Sequence, residues 1–309
     1  MPLITLYTAT YNRAALLPRV YQSLRRQTSK DFLWLIIDDG STDGTAELVR
    51  KWIAENDLFE IKYVYKENGG VHTARNLAHH ICDTELMTKI DSDDWLVDTA
   101  VEKLSAIWRN RKNKEYGGII ARNVRPDGKN ILHGFPQSLS EASIQEFAYK
   151  YRCSGDKFTV TRCDILKKLK DAPVYPGEKL VGESFFWMQI PNNIKFIISS
   201  EPITVVDYQS DGYSTTAYRN VFNNPRGFKD YYNVFIANSC YLAPRIMGHL
   251  GYIASCLILK DFKMLFHSSR KIETLLFLPL GIGWYFYILF RKMRFDRKMA
   301  SCSSLSQRR

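Results

Sequence analysis

Phe32-Leu33-Trp34-Leu35-Ile36-Ile37-Asp38-Asp39-Gly40-Ser41-Thr42-Asp43-Gly44 is an apolar run that ends abruptly in a turn. The run is too short for a helix and reads as a strand. The polar stretch behind it supplies turn residues and N-caps for a following helix, which turns Leu48, Val49, Trp52 and Ile53 to one side. The same alternation extends both ways. Ile4 to Thr8 reads as a first buried strand, followed by a helix with Leu16, Leu17, Val20, Tyr21 and Leu24 on one face. Downstream, Ile61 to Tyr65 reads as strand, Val71 to Ile81 as helix, Leu86 to Ile90 as strand, and Tyr116 to Ala121 as a fifth strand. Strands alternating with helices over short loops predict βαβ units and an α/β fold with a mainly parallel, Rossmann-like sheet flanked by helices.

Beyond about Arg122 the pattern loosens. A helix near Ile144 to Tyr149 is expected, then strands near Phe158 to Thr161, Ile194 to Ile198 and Ile203 to Tyr208, with helical patterns returning between Pro225 and Phe266. The chain has 309 residues, 45% apolar and 24% charged, which excludes wholesale disorder and low-complexity architectures. Six cysteines without a C-x-x-C pair exclude a zinc knuckle and a thioredoxin-type site, and suit thiols kept reduced in the cytosol. The opening MPLITLYTATYNR has neither the basic nor the apolar region of a signal peptide.

Net charge is +11, yet eight of that surplus lies between Lys260 and Arg309, and the body is nearly balanced. Basic residues flanking apolar runs point to an anionic membrane surface rather than to nucleic acid. Thr274 to Phe290 carries no charge and is flanked by Arg270-Lys271 and Arg291-Lys292. At seventeen residues it is marginal for a span, and Pro279, Gly281 and Gly283 are expected to interrupt a straight helix. A monotopic or re-entrant element is one reading of it, a buried C-terminal helix the other.

Ligands of open α/β sheets bind beyond the carboxyl ends of the strands. Four polar clusters fall there: Thr8 to Arg13, Asp38 to Ser41, Asn68-Gly69-Gly70, and Asp91-Ser92-Asp93-Asp94. Alternate carboxylates at a strand end repel one another unless a cation sits beside them. A hard divalent ion, Mg²⁺ or Mn²⁺, fits that need and leaves positions for phosphate oxygens. The Gly69-Gly70 pair permits close backbone approach and can present N–H groups to anions.

These clusters, with Ala74-Arg75-Asn76, occur in an order and spacing that resembles a family 2 glycosyltransferase of the GT-A fold, the group that includes bacterial capsule and exopolysaccharide transferases. The resemblance is strong over residues 3–125, weaker to about 230, and lapses in the tail. It implies a GT-A catalytic domain over 1–230, with a nucleotide-binding half at 1–125 and an acceptor-binding half at 126–230, and a helical, basic and apolar membrane-associating extension at 231–309.

By the same resemblance, Thr8, Tyr11, Asn12 and Arg13 hold the nucleotide, Asp39 reads the uracil edge, and Arg75 approaches the diphosphate or the loop around it, while Gly70 is the backbone contact already expected from the glycine pair. Asp93 is the metal ligand and Asp91 contacts ribose, donor sugar or metal. His72 stands where relatives carry a basic residue, as a diphosphate contact or an ordinary surface histidine. The family's base is a carboxylate in an acidic pair about ninety residues after the D-x-D; here Ser184 replaces the second acid, Glu183 is the candidate and Glu178 the reserve. Segments Tyr208 to Ser214 and Asn224 to Phe228 resemble segments of the capsular branch and are expected to form a flap over donor and acceptor.

The implied protein is an inverting, Mn²⁺- or Mg²⁺-dependent transferase on the cytoplasmic face of the cell membrane. Its donor is a UDP-sugar and its acceptor a lipid-linked saccharide for surface polysaccharide. Two other readings share parts of this pattern. A sugar-nucleotide nucleotidyltransferase would show a Gly-rich basic loop near the N-terminus, which Thr8 to Arg13 lacks. A non-catalytic nucleotide-sugar-binding membrane adaptor would have no need to keep Asp39, Asp91 and Asp93.

Overall fold

A computed structural model describes residues 1–111, 115–135, 138–207 and 217–306, with side chains as far as Arg297. Two compact units emerge, Met1–Ala172 with Gln189–Gln209, and Pro173–Met188 with Ser210–Arg309.

The first unit is built on one sheet of nine strands among the described residues: β1 (Ile4–Thr10), β2 (Phe32–Asp38), β3 (Glu60–Tyr65), β4 (Leu86–Lys89), β5 (Trp95–Leu96), β6 (Gly118–Val124), β7 (Glu141–Ala142), β8 (Lys157–Arg162) and β9 (Phe196–Val205). Their order is β3-β2-β1-β4-β8-β6-β9-β5, with β7 beside β9. The parallel block β3-β2-β1-β4 is the one that the alternating pattern predicts. β2 is buried along its whole length, as its uninterrupted apolar run requires, whereas β3 lies at the edge and is only partly covered.

The sheet is mainly parallel as expected, with β6 and β9 parallel as well, but antiparallel pairs enter beyond the first block. β8 runs antiparallel to both β4 and β6, and β5 and β7 run antiparallel to β9. The expected strands at Ile194–Ile198 and Ile203–Tyr208 are a single strand, β9. Ser199 to Pro202 looks like a break, but the β6–β9 register shifts there and Pro202 sits opposite Arg122 at the irregularity, where its missing N–H is tolerated.

Helices α1 (Leu17–Arg25), α2 (Thr45–Glu55), α3 (Val71–Ile81) and α4 (Ala100–Arg109), and the short α5 (Cys163–Leu166), cover the sheet. Leu17, Val20, Tyr21 and Leu24 of α1 meet Trp34 and Ile36 of β2 in one core, and Tyr21 stacks on Trp52 with ring centres 4.4 Å apart. The expected helix near 144–149 is a π-helical turn, Glu146–Lys150.

The second unit is helical: α6 (Ser184–Trp187), α7 (Ala217–Asn223), α8 (Pro225–Asn238), α9 (Leu242–Leu259), a 3₁₀ turn at Phe262–His267, α10 (Lys271–Leu276) and α11 (Leu278–Ser306). Among the described residues α9 is the one helix long and apolar enough to cross a membrane, with a mean hydropathy of 1.4, and half of it is buried within the protein. It is the core helix of this unit. Gly248 and Gly251 let Phe235, Ile236 and Tyr232 of α8 close onto it.

The expectation that Pro279, Gly281 and Gly283 interrupt the 274–290 segment is corrected. The chain breaks earlier, between α10 and α11, and then runs as one helix to Ser306. Pro279 falls in the first turn of α11, where no helical acceptor is needed for its missing N–H. Gly281 is there for packing, since a Cβ would come within 2.6 Å of Ile253.

Candidate functional site

Within the first unit the chain leaves β1 and turns to β2 and β3 on one side, then places β4 on the other side of β1. That reversal opens a crevice at the carboxyl ends of β1, β2 and β4. The loops there are tied to one another by side chains. Asn12 takes a left-handed conformation (φ 52°) that suits its short polar side chain. Its N–H donates to Ser41 Oγ at 2.9 Å, and its Oδ1 accepts from Thr42 N at 2.8 Å. Asp43 accepts from Ala14 N at 3.1 Å and from the Thr45 hydroxyl. Burial pushes its carboxyl up, but these hydrogen bonds outweigh it and hold the acid below its ordinary range.

Asp39 organises the third loop. It is buried, and Oδ1 accepts Lys66 Nζ at 2.5 Å and Gly69 N at 2.9 Å, while Oδ2 accepts Gly70 N at 2.7 Å and Asn68 Nδ2 at 3.2 Å. Gly40 needs to be glycine, with φ at +87° and Asn68 N 2.8 Å from where a Cβ would stand. Gly70 caps α3. One turn in, Arg75 is buried and its Nε donates to Tyr7 OH at 2.8 Å. His72 is buried in the first turn of α3 rather than at the surface.

The fourth loop carries the acids. Asp91 pairs with Lys89 at 2.8 Å. Burial pushes the Asp93 carboxyl up and the charge of Asp91 adds to this, with Arg13 and Lys89 pulling it back. Burial, then Asp91 and Asp93, push Asp94 up to about 8. Asp94 Oδ1 accepts from Asp207 N at 3.3 Å. Arg19 of α1 spans the loop, donating to Asp207 at 2.8 Å and to the Asp93 carbonyl at 3.5 Å, with its guanidinium 4.8 Å from the Trp95 ring centre.

The crevice therefore gathers Asn12, Arg13, Asp39, Gly70, Asp91 and Asp93 on loops at the carboxyl ends of the strands, with Arg75 in the second turn of α3. Tyr11 is exposed there. Thr8 is fully buried, and its hydroxyl accepts from the Trp34 indole N–H at 3.1 Å. The sequence reading missed Lys66, Lys89, Arg19 and Tyr7. Lys89 stands two residues before Asp91, whereas only the fold brings Lys66 beside Asp39, Arg19 beside the Asp93 carbonyl and Tyr7 beside Arg75. Thr10 was missed too: its Oγ1 is buried at the end of β1 without a hydrogen-bond partner.

Glu183 belongs to the second unit, exposed at the N-cap of α6. Glu178, in the same unit, is buried, and its two carboxylate oxygens accept Arg226 N and Gly227 N at 3.0 and 2.8 Å, at the start of α8. Asn224 answers by accepting Lys179 N and Leu180 N at 2.7 and 3.1 Å. The flap expected over Tyr208 to Ser214 lies outside the described residues.

Among the described residues no group of three or more His, Cys, Asp or Glu side chains could hold a metal ion alone. A Mg²⁺ or Mn²⁺ ion shared with a diphosphate asks less of the protein, one or two carboxylates with phosphate oxygens completing the shell. Asp91 and Asp93 are hard oxygen donors whose mutual repulsion such an ion would relieve, so the residues present fit it.

Similarity to known proteins follows the same stretch. Over 135 residues the chain is 33% identical to a chondroitin synthase of Pasteurella multocida, covering 44% of this chain and 14% of that protein. Over 174 residues it is 41% identical to a validoxylamine A glucosyltransferase of Streptomyces hygroscopicus, covering 53% of this chain and 40% of that one. The chain thus spans less than half the length of these relatives. Among solved structures, S. aureus TarS 1-349 in complex with UDP-GlcNAc superposes with a TM-score of 0.59 at 16% identity, over 93% of this chain and 81% of that one. The mannosyltransferase PcManGT from Pyrobaculum calidifontis, in complex with GDP-Man and Mn²⁺, gives 0.53 at 16% identity, over 94% and 83%. Since the profile of glycosyl transferase family 2 matches residues 5–170, more than half of the chain and every loop of the crevice, this chain belongs to that family.

Proposed function

We propose that this protein moves a sugar from a UDP-sugar to a hydroxyl of a lipid-linked saccharide, with inversion, in surface polysaccharide synthesis at the cytoplasmic face of the cell membrane. The observation that carries the reading is the meeting of four polar loops at the carboxyl ends of β1, β2 and β4, with Asp39, Asp91 and Asp93 held on them and Arg75 behind them in α3.

Asp39 reads the N3–H of uracil. Its carboxylate already accepts four donors, so the base takes the place of the longest of them, the 3.2 Å contact from Asn68. Asn12, Arg13 and Tyr11 frame the nucleotide, and the Gly70 backbone stands where α3 begins and its dipole favours an anion. Arg75, aimed by Tyr7, meets the negative charge that grows on the diphosphate as the anomeric bond breaks. Asp93 and Asp91 would hold Mn²⁺ or Mg²⁺, which neutralises part of that charge. Lys89 balances Asp91 in the absence of donor.

Glu183 takes the proton from the acceptor hydroxyl. Supporting it over Glu178 is the commitment of the Glu178 carboxylate to the first N–H groups of α8. The direct test supplies a panel of labelled UDP-sugars with Mn²⁺ or EDTA, plus lipid extract, and follows UDP release and label transfer. Metal-dependent transfer to lipid supports the reading; pyrophosphate exchange, or transfer indifferent to EDTA, refutes it.

A further inference from the structure

We propose that the exposed apolar strip along α10 and α11 is a bilayer-docking face, on which the helical unit lies flat against an anionic phospholipid surface. The inference deepens the membrane placement just proposed and rests on it for the choice of leaflet; the face itself is argued from this unit alone.

Ile272 and Leu276 of α10, with Ile282, Phe286, Phe290 and Met293 of α11, are 38% to 77% exposed. On α11 these four fall within an arc of about 80°. Strips of this kind on a folded chain mark an interaction surface. The opposite side of α11 is committed to the protein interior. Gly281 abuts Ile253, Ile288 is 3% exposed in a cluster with Val221 and Ala254, and Trp284 packs beside them. A helix with one face in the protein and the other apolar and exposed has a single side to give to lipid.

Length decides against a crossing. From Leu278 to Phe290 the helix rises about 20 Å, against roughly 30 Å for the hydrocarbon core. Arg291, Lys292 and Arg294 then follow at once. α9 is long enough to span but is half buried under its neighbours. In-plane seating satisfies both facts, with the strip sunk into the acyl boundary and the charges at headgroup level.

Charge selects the occupant. Lys271 at one end of the strip, and Arg294 and Arg297 at the other, are exposed without a carboxylate partner among the described residues. The nearby acids are already used: Glu273 pairs with Arg270 at 2.9 Å and His249 at 3.3 Å, and Asp296 with Lys292 at 3.0 Å and Arg219 at 3.3 Å. A second copy of the chain laid on this strip, in either direction, would set cationic ends against cationic ends. An anionic lipid surface meets both ends with opposite charge.

The test is co-sedimentation of the full chain with phosphatidylcholine vesicles, with and without 30% phosphatidylglycerol, at low and high salt. Wild type is expected on the anionic vesicles, with partition falling at high salt. Phe286→Ser with Phe290→Ser should weaken partition roughly a hundredfold or more. Lys271→Glu with Arg294→Glu should weaken it at least about tenfold. Leu58→Ser, an exposed apolar change in the first unit, should leave it unchanged. Circular dichroism and UDP release in lipid-free solution report separately on folding and on the sugar-transfer reading. Alkaline carbonate should release the bound protein. Three results overturn the proposal: equal partition of wild type and both double variants, retention after carbonate, or a lipid-free dimer that Phe286→Ser with Phe290→Ser dissociates and that ignores vesicles.

Discussion

Asn76 closes on both polar backbone groups of Ala172, 96 positions away in sequence: its Nδ2 donates to Ala172 O at 2.9 Å and its Oδ1 accepts Ala172 N at 3.0 Å. All of these groups are buried, and Ala172 is the last residue of the first unit before Pro173 opens the second. Asn76→Ala leaves a buried donor and a buried acceptor without partners, costing about 2–4 kcal/mol. For a unit of this size the melting temperature should fall by roughly 5–15 °C. Asn76→Asp keeps the acceptor and should fall less. Equal melting of wild type and Asn76→Ala would show the clamp to be dispensable.

Asp93→Ala should abolish the Mn²⁺-dependent part of UDP binding, because its carboxylate stands beside Asp91, where burial and that like charge favour a cation between the two acids. Calorimetric titration of UDP with and without Mn²⁺ measures this. A metal increment that survives in the variant refutes the assignment of Asp93.

Glu183→Gln should bind donor normally and lose transfer by about 10²- to 10⁴-fold, the range for removal of a general base. Glu178→Gln should behave in the opposite way. It replaces one of the two oxygens that satisfy Arg226 N and Gly227 N, so stability falls. If Glu183→Gln transfers at the wild-type rate, the base is another group.

The parallel block of the sheet was legible because its strands are buried runs ended by turn residues, and a run such as β2 has one reading. The antiparallel half was not. β5 and β7 are two residues each, too short for any periodicity, and β9 passes through Pro202 only because β6 shifts register to receive it. Motif residues were visible at the site by type and spacing. Their partners were not, because Tyr7 and Lys66 meet Arg75 and Asp39 across the fold. Pro279 misled because proline halts a helix in its interior and starts one in its first turn, and sequence alone did not say where that turn began.

His249 is fully buried in α9, with Nδ1 at 2.9 Å from Thr274 Oγ1 and Nε2 at 3.3 Å from Glu273. Burial lowers its pKa more than Glu273 raises it, with Arg245 and Arg270 adding to the lowering. The unfolded chain, titrating near about 6.5, therefore binds the proton first. The contribution of this histidine is fully present above that value and is lost as pH falls below it towards the folded pKa. Between pH 7.5 and 5.5 the melting temperature of wild type should drop further than that of His249→Gln. Parallel curves for the two would show that burial does not perturb this imidazole.

Asp39 poses a sharper question, whether it serves the donor directly or only through the loop that it holds. Asp39→Asn keeps one acceptor oxygen and turns an NH₂ group towards Lys66 or towards the N–H groups of Gly69 and Gly70. At least one buried donor then loses its partner, and hydrogen exchange at Gly69 and Gly70 should quicken. UDP affinity should fall at least about tenfold, the effect of losing one charge-assisted hydrogen bond and the loop geometry together. Asn68→Ala separates the two roles. If uracil takes the place of the 3.2 Å Asn68 contact, that variant should bind UDP within a few-fold of wild type, since the contact to be displaced is gone and only the 2.8 Å bond of the same amide to the Asp39 carbonyl is lost with it. If Asn68→Ala weakens UDP as much as Asp39→Asn does, Asp39 acts on the nucleotide only by shaping the loop.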